Sequence, residues 1–284
     1  IICRSLRQAY DNSPDIILCL QVTHASSPDV QERLNIMQLQ TSDAIWTAHH
    51  CGLVSLNPNV LIQPIFTSSD DGRVIYCSVH HTTNLFPPLT IMNIYAPASS
   101  SDRYRFYTQL LSQPFFQTLL TAMANSVHSP DYLSTVPDAP SMILGDFNYN
   151  FRRYRLPVPS TEPCIESQWL FHSMMLHYYR ECTHGLCKDP IIPTSRYNTA
   201  FSTIDYFFVG PQPIEFRADH FVYFVHSEWT DHALLLLQLT FANHNFGKGL
   251  SRANPALVSN EHFRTRWMAA LDEYHANSLT NVAD

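Results

Sequence analysis

The sequence predicts an α/β protein whose strands are covered on both faces, and three observations lead to this prediction. Short runs rich in β-branched and aromatic residues alternate with segments of helical pattern, although not in strict strand–helix–strand order. Many of these runs are apolar on both faces, as expected of strands with another layer above and below. Only 14% of the 284 residues are charged, against about a quarter in an average protein, which favours large sheets over a charged helical surface.

Eight runs are predicted as strands and three segments as helices. The strands are 15–22, 52–56, 74–79, 89–95, 141–146, 203–209, 220–225 and 232–240, and the helices are 102–125, 167–181 and 261–275. In the first helix, Phe106, Leu110 and Leu119 recur near helical spacing. Pro114 is predicted to break or restart this helix, because proline suits a first turn and not a helix interior.

Composition limits the possible function classes. The net charge of −7 predicts that any binding to nucleic acid depends on a local basic patch, and it fits a carboxylate-lined cation site equally well. The seven cysteines form no disulfide framework, and several lie in apolar runs as buried free thiols do. We therefore expect an intracellular protein, nuclear or cytoplasmic and not secreted. The absence of an initial methionine suggests a trimmed or truncated product.

Polar side chains stand at the ends of three predicted strands, where α/β proteins place functional groups. Asp146 and Asn148 follow an apolar run, and residues two apart on an extended chain face the same side. Asp205 is embedded in an apolar strand, where an unpaired carboxylate is costly. Asp231 and His232 come just before a buried strand. These positions predict a site built from carboxylates, an amide and an imidazole.

Five motifs, taken in this order, carry a resemblance to a known family. They are LQVTH at 20–24, NIYAP at 93–97, GDFN at 145–148, STIDYFFV at 202–209 and TDH at 230–232. Together they resemble the endonuclease/exonuclease/phosphatase family, and in particular the apurinic-type endonuclease domain of non-LTR retrotransposons. A further run, GKGLSRANP at 247–255, resembles the segment that follows this domain in retroelement polyproteins.

The resemblance implies an architecture and a domain division. It implies a four-layer α/β/β/α sandwich, with two packed mixed β-sheets and helices on the outside. Residues 1–242 are expected to form this domain. Residues 243–284 are expected to form an extension toward a neighbouring reverse transcriptase in a longer polyprotein.

The resemblance also assigns roles around a phosphate of DNA. Asp146 would activate the attacking water, Asn148 would hold the phosphate, and Tyr95 would donate a hydrogen bond to it. Asp231, together with Asp146, would lie at a Mg²⁺ ion, for which Mn²⁺ is the substitute. Phosphodiester cleavage needs such parts, namely an in-line water, a cation that neutralises the phosphate oxygens, and positioned donors.

Asp205 and His232 would act as a pair by the same resemblance. Asp205 would fix the imidazole of His232, which would donate to the phosphoryl oxygen as charge builds in the transition state. A carboxylate behind an imidazole sets its tautomer and stabilises its cationic form. The alternative for Asp205 is a structural buried acid paired with an arginine.

Three positions depart from the family pattern. Val22 stands where the family has the glutamate that is its main metal ligand, and valine cannot bind a cation. Loss of that glutamate is expected to lower the rate on the order of a thousandfold. Ile2 and Arg4 stand where the N-terminal strand of the family carries polar residues. The guanidinium of Arg4 is a candidate to neutralise phosphate at the vacated metal position.

Other polar groups have weaker interpretations. Arg152, Arg153 and Arg155 follow the GDFN motif, and they either contact a DNA backbone beside the site or lie in a solvated loop. Four residues, His177, Cys182, His184 and Cys187, are expected not to bind zinc, because their spacing fits no common zinc pattern. The pairs His49–His50 and His80–His81 are expected to be surface or edge-strand residues and not ligands.

Three functions are compatible with these residues. The first is a Mg²⁺-dependent DNA endonuclease that nicks a target strand for reverse transcription. The second is a catalytically inactive relic that keeps the fold and binds nucleic acid or phosphate, and Val22 favours it. The third is a small-molecule phosphoesterase acting on a phosphoinositide or sphingolipid headgroup. The retroelement-like tail and the three arginines argue against the third.

Overall fold

A computed structural model describes residues 15–25, 27–34, 43–47, 49–68, 71–125, 130–150, 163–183, 192–197, 199–210, 216–224 and 230–241, together with 265 and 269. The chain separates into two compact units, residues 1–244 and 245–284. In the second unit the two described residues are helical. The predicted domain boundary between residues 242 and 243 stays a prediction.

The described part of the first unit contains helices and strands in the following order. The helices are α1 (Pro28–Arg33), α2 (Ser100–Leu111), α3 (Pro114–Ala124) and α4 (Pro163–Tyr178), with a 3-10 helix at Pro130–Thr135. The strands are β1 (Ile17–Gln21), β2 (Asp43–Trp46), β3 (Cys51–Ser55), β4 (Val60–Thr67), β5 (Val74–His81), β6 (Leu89–Tyr95), β7 (Met142–Asp146), β8 (Arg180–Glu181), β9 (Ser195–Tyr197), β10 (Ala200–Ser202), β11 (Asp205–Val209), β12 (Phe216–Phe224) and β13 (Ala233–Phe241).

A six-stranded mixed sheet forms the centre of this unit, with the strand order β4-β5-β6-β7-β11-β8. Strands β6 and β7 are parallel, and the other neighbours are antiparallel. The smaller sheets are antiparallel throughout, with the order β1-β3-β2 in one and the hairpins β12–β13 and β9–β10 in the others. The parallel pair matters for function, because both of its strands end at the same edge of the sheet.

One face of the central sheet packs against helices α2, α3 and α4. Alternate strand residues such as Ile94 and Phe208 point into this layer. Aromatic side chains fill it, and the ring of Phe171 lies 5.2 Å from that of Tyr107 and 5.6 Å from that of Phe116. All three rings are fully buried. Such contacts add about 0.5–1.5 kcal/mol per pair beyond the burial of area.

The opposite face of the central sheet packs against the smaller strands. Ile75 and Cys77 of β5 enter this second core, and Leu53 of β3 and Leu239 of β13 pack against the same cluster. The residue between them, Tyr76, belongs to the helical side. Successive residues of one strand therefore enter different cores, which explains why the strand runs are apolar on both faces.

A buried amide joins the two layers of strands. The side chain of Asn93 on β6 is fully buried, and its Nδ2 donates to the carbonyls of Leu20 (3.1 Å) and Gly52 (3.2 Å). Its Oδ1 accepts a hydrogen bond of 2.7 Å from Nε2 of Gln21. Asn93 therefore fixes the end of β1 over β6, and the residue that follows β1 is Val22.

The predicted α/β class is confirmed, and all eight predicted strands are present with bounds shifted by a few residues. The sandwich of packed strand layers with helices outside is also present, but the described strands of the second layer pair only antiparallel, whereas both sheets were expected to be mixed. On the far side of the second layer of strands, Leu34, the residue that ends α1, packs with Leu18 and Trp46, and α1 itself buries no side chain.

The remaining differences from prediction have local causes. Pro114 opens α3 and so divides the predicted helix 102–125 in two. Strands β2, β4, β8, β9 and β10 were not predicted. The last three have only two or three residues each, and β4 contains Pro64 at a register shift on an edge of the sheet. None of the described helices has the length and apolar character needed to cross a bilayer.

Candidate active site

Strand register brings three site residues into line at one edge of the central sheet. Tyr95 at the end of β6 pairs with Asp146 at the end of β7. Asp205 at the beginning of β11 pairs with Asp146 from the other side, because β11 runs antiparallel to β7. Both carboxylates are buried. The sheet itself therefore sets Asp146 between Tyr95 and Asp205.

A glycine and a tight turn hold Asp146 in place. Gly145 has a φ of +132°, and a Cβ at this position would overlap the carbonyl oxygen of Ile94. Asn148 has a φ of +48°, which Asn tolerates better than most residues. Its backbone N–H donates to Oδ1 of Asp146 at 2.8 Å, and its Nδ2 donates to Oδ2 of Asp146 at 3.1 Å and to the carbonyl of Ala96 at 2.8 Å. Both amide hydrogens of Asn148 are thus engaged, and its predicted contact with phosphate stays a prediction.

The second half of the site is an imidazole–carboxylate pair. Nδ1 of His232 lies 3.1 Å and 3.0 Å from the two carboxylate oxygens of Asp205. The backbone of His232 forms a bridge with Ser195 and donates to Oγ1 of Thr230 at 3.0 Å. The backbone N–H of Asp205 donates to Oγ1 of Thr194 at 3.1 Å. With Nδ1–H directed to the carboxylate, Nε2 is the ring nitrogen left for a substrate.

Burial and neighbouring charges shift two pKa values in this cluster. Burial, followed by the negative charge of Asp205, raises the pKa of Asp146 to about 7. For His232, burial lowers the pKa, but the hydrogen bond and the charge of Asp205 outweigh it and raise the pKa to about 9. His232 is therefore a cation at neutral pH, whereas Asp146 is held close to its point of ionisation.

The carboxylate of Asp146 is the donor in this cluster that suits a divalent cation, because a protonated His232 has no free lone pair. Ligand atoms of Asp146, Asp205 and His232 lie within 4.8 Å of one another. Burial and the charge of Asp205 raise the pKa of Asp146, and a bound cation would favour its ionised form instead. Asp231 is exposed, and its Oδ1 lies 3.9 Å from Nε2 of His232. Among the described residues it is not part of the group that could hold a metal.

Val22 follows β1 in an unusual conformation. It has a φ of +54° and its side chain is 45% exposed. A positive φ is a strained choice for a β-branched residue, and such strain concentrates at functional positions. His24 also has a positive φ, of +50°. The backbone therefore makes a tight turn at Val22, where the valine side chain supplies no ligand for a metal.

The structure also shows side chains near the site that were not predicted from the sequence. The ring of His50 lies 5.3 Å from the ring of Tyr95, and the guanidinium of Arg73 lies 5.0 Å from the same ring. The prediction that His49–His50 and His80–His81 are surface or edge-strand residues is wrong for His81, which is buried on β5 between two neighbouring strands. His50 is half-buried. His50 and Arg73 are identified by their proximity to Tyr95 in space, which the local sequence does not encode.

The hairpin of β9 and β10 adjoins His232. Its backbone bonds to the site segment, because the N–H of Arg196 donates to the carbonyl of Asp231 at 2.7 Å. Tyr197 and Phe201 on this hairpin are 69% and 63% exposed. Tyr197 lies on the same face of the hairpin as Ser195, whose backbone bridges His232, and Phe201 lies on the opposite face with Arg196.

Several predicted positions lie outside the described residues. They are Ile2, Arg4, Arg152, Arg153 and Arg155, together with His184 and Cys187 from the four residues whose spacing fits no common zinc pattern. Of that group, Cys182 is buried as a free thiol, and Nδ1 of His177 donates to the carbonyl of Ser173 at 2.7 Å.

No protein-family model matches the chain, and a search of curated proteins gives no match. Solved structures do resemble it. One is ANGEL2, a 2′,3′-cyclic phosphatase in complex with adenosine-2′,3′-vanadate, with 14% identity over 84% of this chain and 84% of that chain and a TM-score of 0.49. A second is an endonuclease/exonuclease/phosphatase from Beutenbergia cavernae, with 13% identity over 84% of this chain and 65% of that chain and a TM-score of 0.45.

A third is the endonuclease domain of TRAS1, a telomere-specific non-LTR retrotransposon, with 8% identity over 78% of this chain and 80% of that chain and a TM-score of 0.36. The chain spans less than two thirds of the Beutenbergia protein.

Proposed function

We propose that the chain is a metal-dependent phosphodiester hydrolase that cleaves DNA, of the type found in retroelement endonucleases. The observation that carries the proposal is the meeting of Asp146 and Asn148 with the Asp205–His232 pair. These residues come from three separate stretches of the chain. A buried carboxylate beside an imidazolium, with a second carboxylate behind it, is a combination of base, donor and orienting group that phosphoryl transfer uses.

The roles of the residues follow from their ionisation. His232 is a cation because Asp205 stabilises its charged form, and it donates from Nε2 to a phosphoryl oxygen as negative charge develops there. Asp146, a buried carboxylate at the end of β7, accepts a proton from the attacking water. Asn148 keeps both oxygens of that carboxylate in a fixed orientation.

Asp146 is the residue that would hold a divalent cation, Mg²⁺ or Mn²⁺. When bound, the cation supplies neutralisation of the phosphate oxygens and lowers the pKa of a bound water. Mg²⁺ characteristically takes one or two protein carboxylates and retains several waters, so a small protein donor set is sufficient.

The hairpin beside His232 supports nucleic acid as the substrate. Its exposed rings, Tyr197 and Phe201, are open to stacking by bases, and every base has a face that can stack on an aromatic ring. The guanidinium of Arg196 lies 5.6 Å from the ring of Phe201 and 3.3 Å from that of Phe224, so a positive charge is fixed next to the ring of Phe201. A nucleic acid has bases that can stack on the aromatic rings and phosphates that can bind the guanidinium. A lipid headgroup has no base to stack on the rings.

A second candidate is a relic that binds nucleic acid and does not cleave it. Val22 favours this candidate, because a valine stands at the strained turn where the family has its principal metal ligand. The two candidates share the fold and the substrate class, and they differ in turnover alone.

Nicking of supercoiled plasmid DNA tests the proposal, first in Mg²⁺ and then in Mn²⁺. We expect slow nicking by the native chain and loss of at least a hundredfold in Asp146→Ala, with Asp29→Ala on the exposed side of α1 as the matched control. Nicking that appears only in Val22→Glu would establish the relic. Nicking by Asp146→Ala at the native rate would remove the hydrolase proposal.

A further inference from the structure

Helix α4 has one face that does not take part in the core. Its inner side chains are buried in the helical layer and include Phe171, Met174, Met175 and Tyr178. The side chains of the opposite face are exposed or half-buried and recur every three or four residues; they are Glu166, Trp169, Leu170, Ser173, Leu176, His177 and Arg180. Because a helix has 3.6 residues per turn, these positions form one continuous stripe that points away from the central sheet.

Large apolar side chains lie exposed on this stripe. Trp169 is 45% exposed and Leu176 is 54% exposed, and both lie on the same side of the stripe. Leu170 and Ser173 stand between them and are half-buried. A single exposed apolar residue is ordinary, but an apolar patch that continues over two helical turns and is bordered by charged residues is typical of a contact surface.

The two ends of the stripe carry opposite charges. Glu166 stands seven residues before Ser173, and Arg180 stands seven residues after it. Arg180 belongs to β8, but the N–H of Tyr179 still donates to the carbonyl of Met175 at 2.9 Å, so the helical path continues almost to Arg180. Ser173 at the centre is small, which allows a second helix to approach closely. The stripe is therefore complementary in charge to a reversed copy of itself.

We propose that this stripe is a contact surface between two copies of the chain, which pair α4 with α4 in antiparallel orientation about a twofold axis at Ser173. A twofold axis brings each residue before Ser173 close to the residue at a similar distance after it in the second copy. Glu166 then lies beside Arg180 of the second copy, and Trp169 lies beside Leu176 of the second copy. Each of these contacts forms twice in the dimer.

The antiparallel orientation follows from the charges. A parallel pair would place Glu166 against Glu166 and Arg180 against Arg180 of the second copy, and like charges in contact oppose association. The inference does not depend on the proposed function, since the stripe points away from the sheet that carries the site.

The size of the stripe sets the expected affinity. One helix face covers less than the roughly 800 Å² that each partner contributes to a standard stable interface. We therefore expect a reversible dimer with a dissociation constant on the order of 10–100 μM, whose contact energy is concentrated in the indole of Trp169.

Sedimentation velocity of the full chain over a concentration series, from about 1 to 300 μM, tests the proposal. The native chain should pass from monomer to dimer within this range. Trp169→Ala and Leu176→Ala should each raise the dissociation constant about tenfold or more. Ile65→Ala on β4, which removes an apolar side chain that is 51% exposed, is the matched control and should associate as the native chain does. Circular dichroism checks that each variant is folded.

Charge reversal tests the orientation of the pair. Glu166→Arg and Arg180→Glu should each weaken the dimer about five- to tenfold, because each brings like charges together. An equimolar mixture of these two variants should form a heterodimer of native strength, since every arginine at these positions then faces a glutamate. Glu32→Arg on the exposed side of α1 is the matched control for the added charge.

Three outcomes would overturn the proposal. The native chain remains monomeric over the whole range, in which case the stripe does not bind a second copy. The native chain associates, but Trp169→Ala and Leu176→Ala associate equally well, in which case another surface is used. The mixture of the two charge variants associates no better than either variant alone, in which case Glu166 and Arg180 do not face each other. If Trp169→Ala does not fold, Leu176→Ala alone decides the second outcome.

Discussion

At the scale of single residues, Gly145 gives β7 the backbone conformation that positions Asp146 at the edge of the central sheet. It precedes Asp146 and pairs with Ile94 on β6 and Tyr206 on β11. Its φ of +132° is a conformation that residues with a Cβ rarely adopt, and the added Cβ would meet backbone and not a flexible side chain. The strand can therefore end in Asp146 with this geometry only because the residue before it is glycine.

We predict that Gly145→Ala destabilises the chain by several kcal/mol, on the order of 4, because both the φ value and the overlap with the carbonyl oxygen of Ile94 must be relieved by backbone movement. Urea denaturation followed by circular dichroism measures the change. Gly72→Ala is the comparison, since Gly72 also has a positive φ, of +64°, but lies in a loop outside the paired strands. An alanine variant as stable as the native chain would show that the strand tolerates a side chain there.

The Asp205–His232 pair makes a second residue-scale prediction, about pH. The pKa of His232 is raised from 6.5 to about 9, so its stabilising contribution is fully present below pH 6.5 and is lost as the pH rises through 9. The loss is on the order of 2 kcal/mol, less than the full shift because the imidazole is partly exposed. Without divalent cations, the free energy of unfolding of the native chain should fall between pH 7 and 9.

Chemical denaturation at a series of pH values in chelator measures this effect. His232→Gln should show a flatter profile in that window, and His80→Gln should follow the native one. Parallel profiles for the native chain and His232→Gln would mean that the imidazole is not held as a cation by Asp205.

At the scale of secondary-structure elements, the hairpin β9–β10 shows what the sequence could not predict. Its strands have three residues each, too short for a pattern of period two to stand out from the loops around it. The sequence does not distinguish Tyr197 and Phe201 from other aromatic residues, and only the backbone bridge between Ser195 and His232 shows that their hairpin adjoins the site.

We predict that Tyr197→Ala and Phe201→Ala each weaken binding of single-stranded DNA about tenfold or more, because stacking of one base on a ring contributes about 1–3 kcal/mol. The free energy of unfolding should hardly change, since both rings are exposed. Trp169→Ala on α4, which removes a ring that is 45% exposed, is the matched control. Equal weakening in the control would indicate a general loss of apolar surface and not a contact with bases.

The longer elements were predictable for a physical reason. A strand such as β6, in which Ile94 enters one core and Ile91 the other, must be apolar on both faces, and this leaves a clear signal in the sequence. Asp146, Asp205 and His232 were identified because each interrupts or borders such an apolar run. His50 and Arg73 could not be identified in this way, since they stand just before strands and meet Tyr95 only through tertiary packing.

At the scale of the whole molecule, the site depends on how the two layers of strands are joined. Asn93 makes this junction through the carbonyls of Leu20 and Gly52 and the side chain of Gln21. It lies two residues before Tyr95, at the same end of β6 as the site. The turn that follows β1, with Val22, is positioned over the central sheet through this buried amide.

Asn93→Ala is predicted to destabilise the chain by roughly 2–4 kcal/mol, because it leaves two buried carbonyls and one side-chain amide without their partner. It should also lower binding of DNA, since the turn at Val22 loses its support. Thermal and urea denaturation measure the stability, with Asn59→Ala at an exposed position as the control. Native stability in Asn93→Ala would place the junction of the layers elsewhere.

The most direct test of the site is plasmid nicking by Val22→Glu in Mg²⁺, with and without His232→Gln. Restoring the glutamate ligand should raise the rate on the order of a thousandfold over the native chain, which makes the contribution of the other residues measurable. If His232 donates to the phosphoryl oxygen, the double variant should lose at least a hundredfold of that rate. Nicking by the double variant at the rate of Val22→Glu, or no nicking by Val22→Glu at all, would contradict a hydrolytic site formed by Asp146, Asp205 and His232.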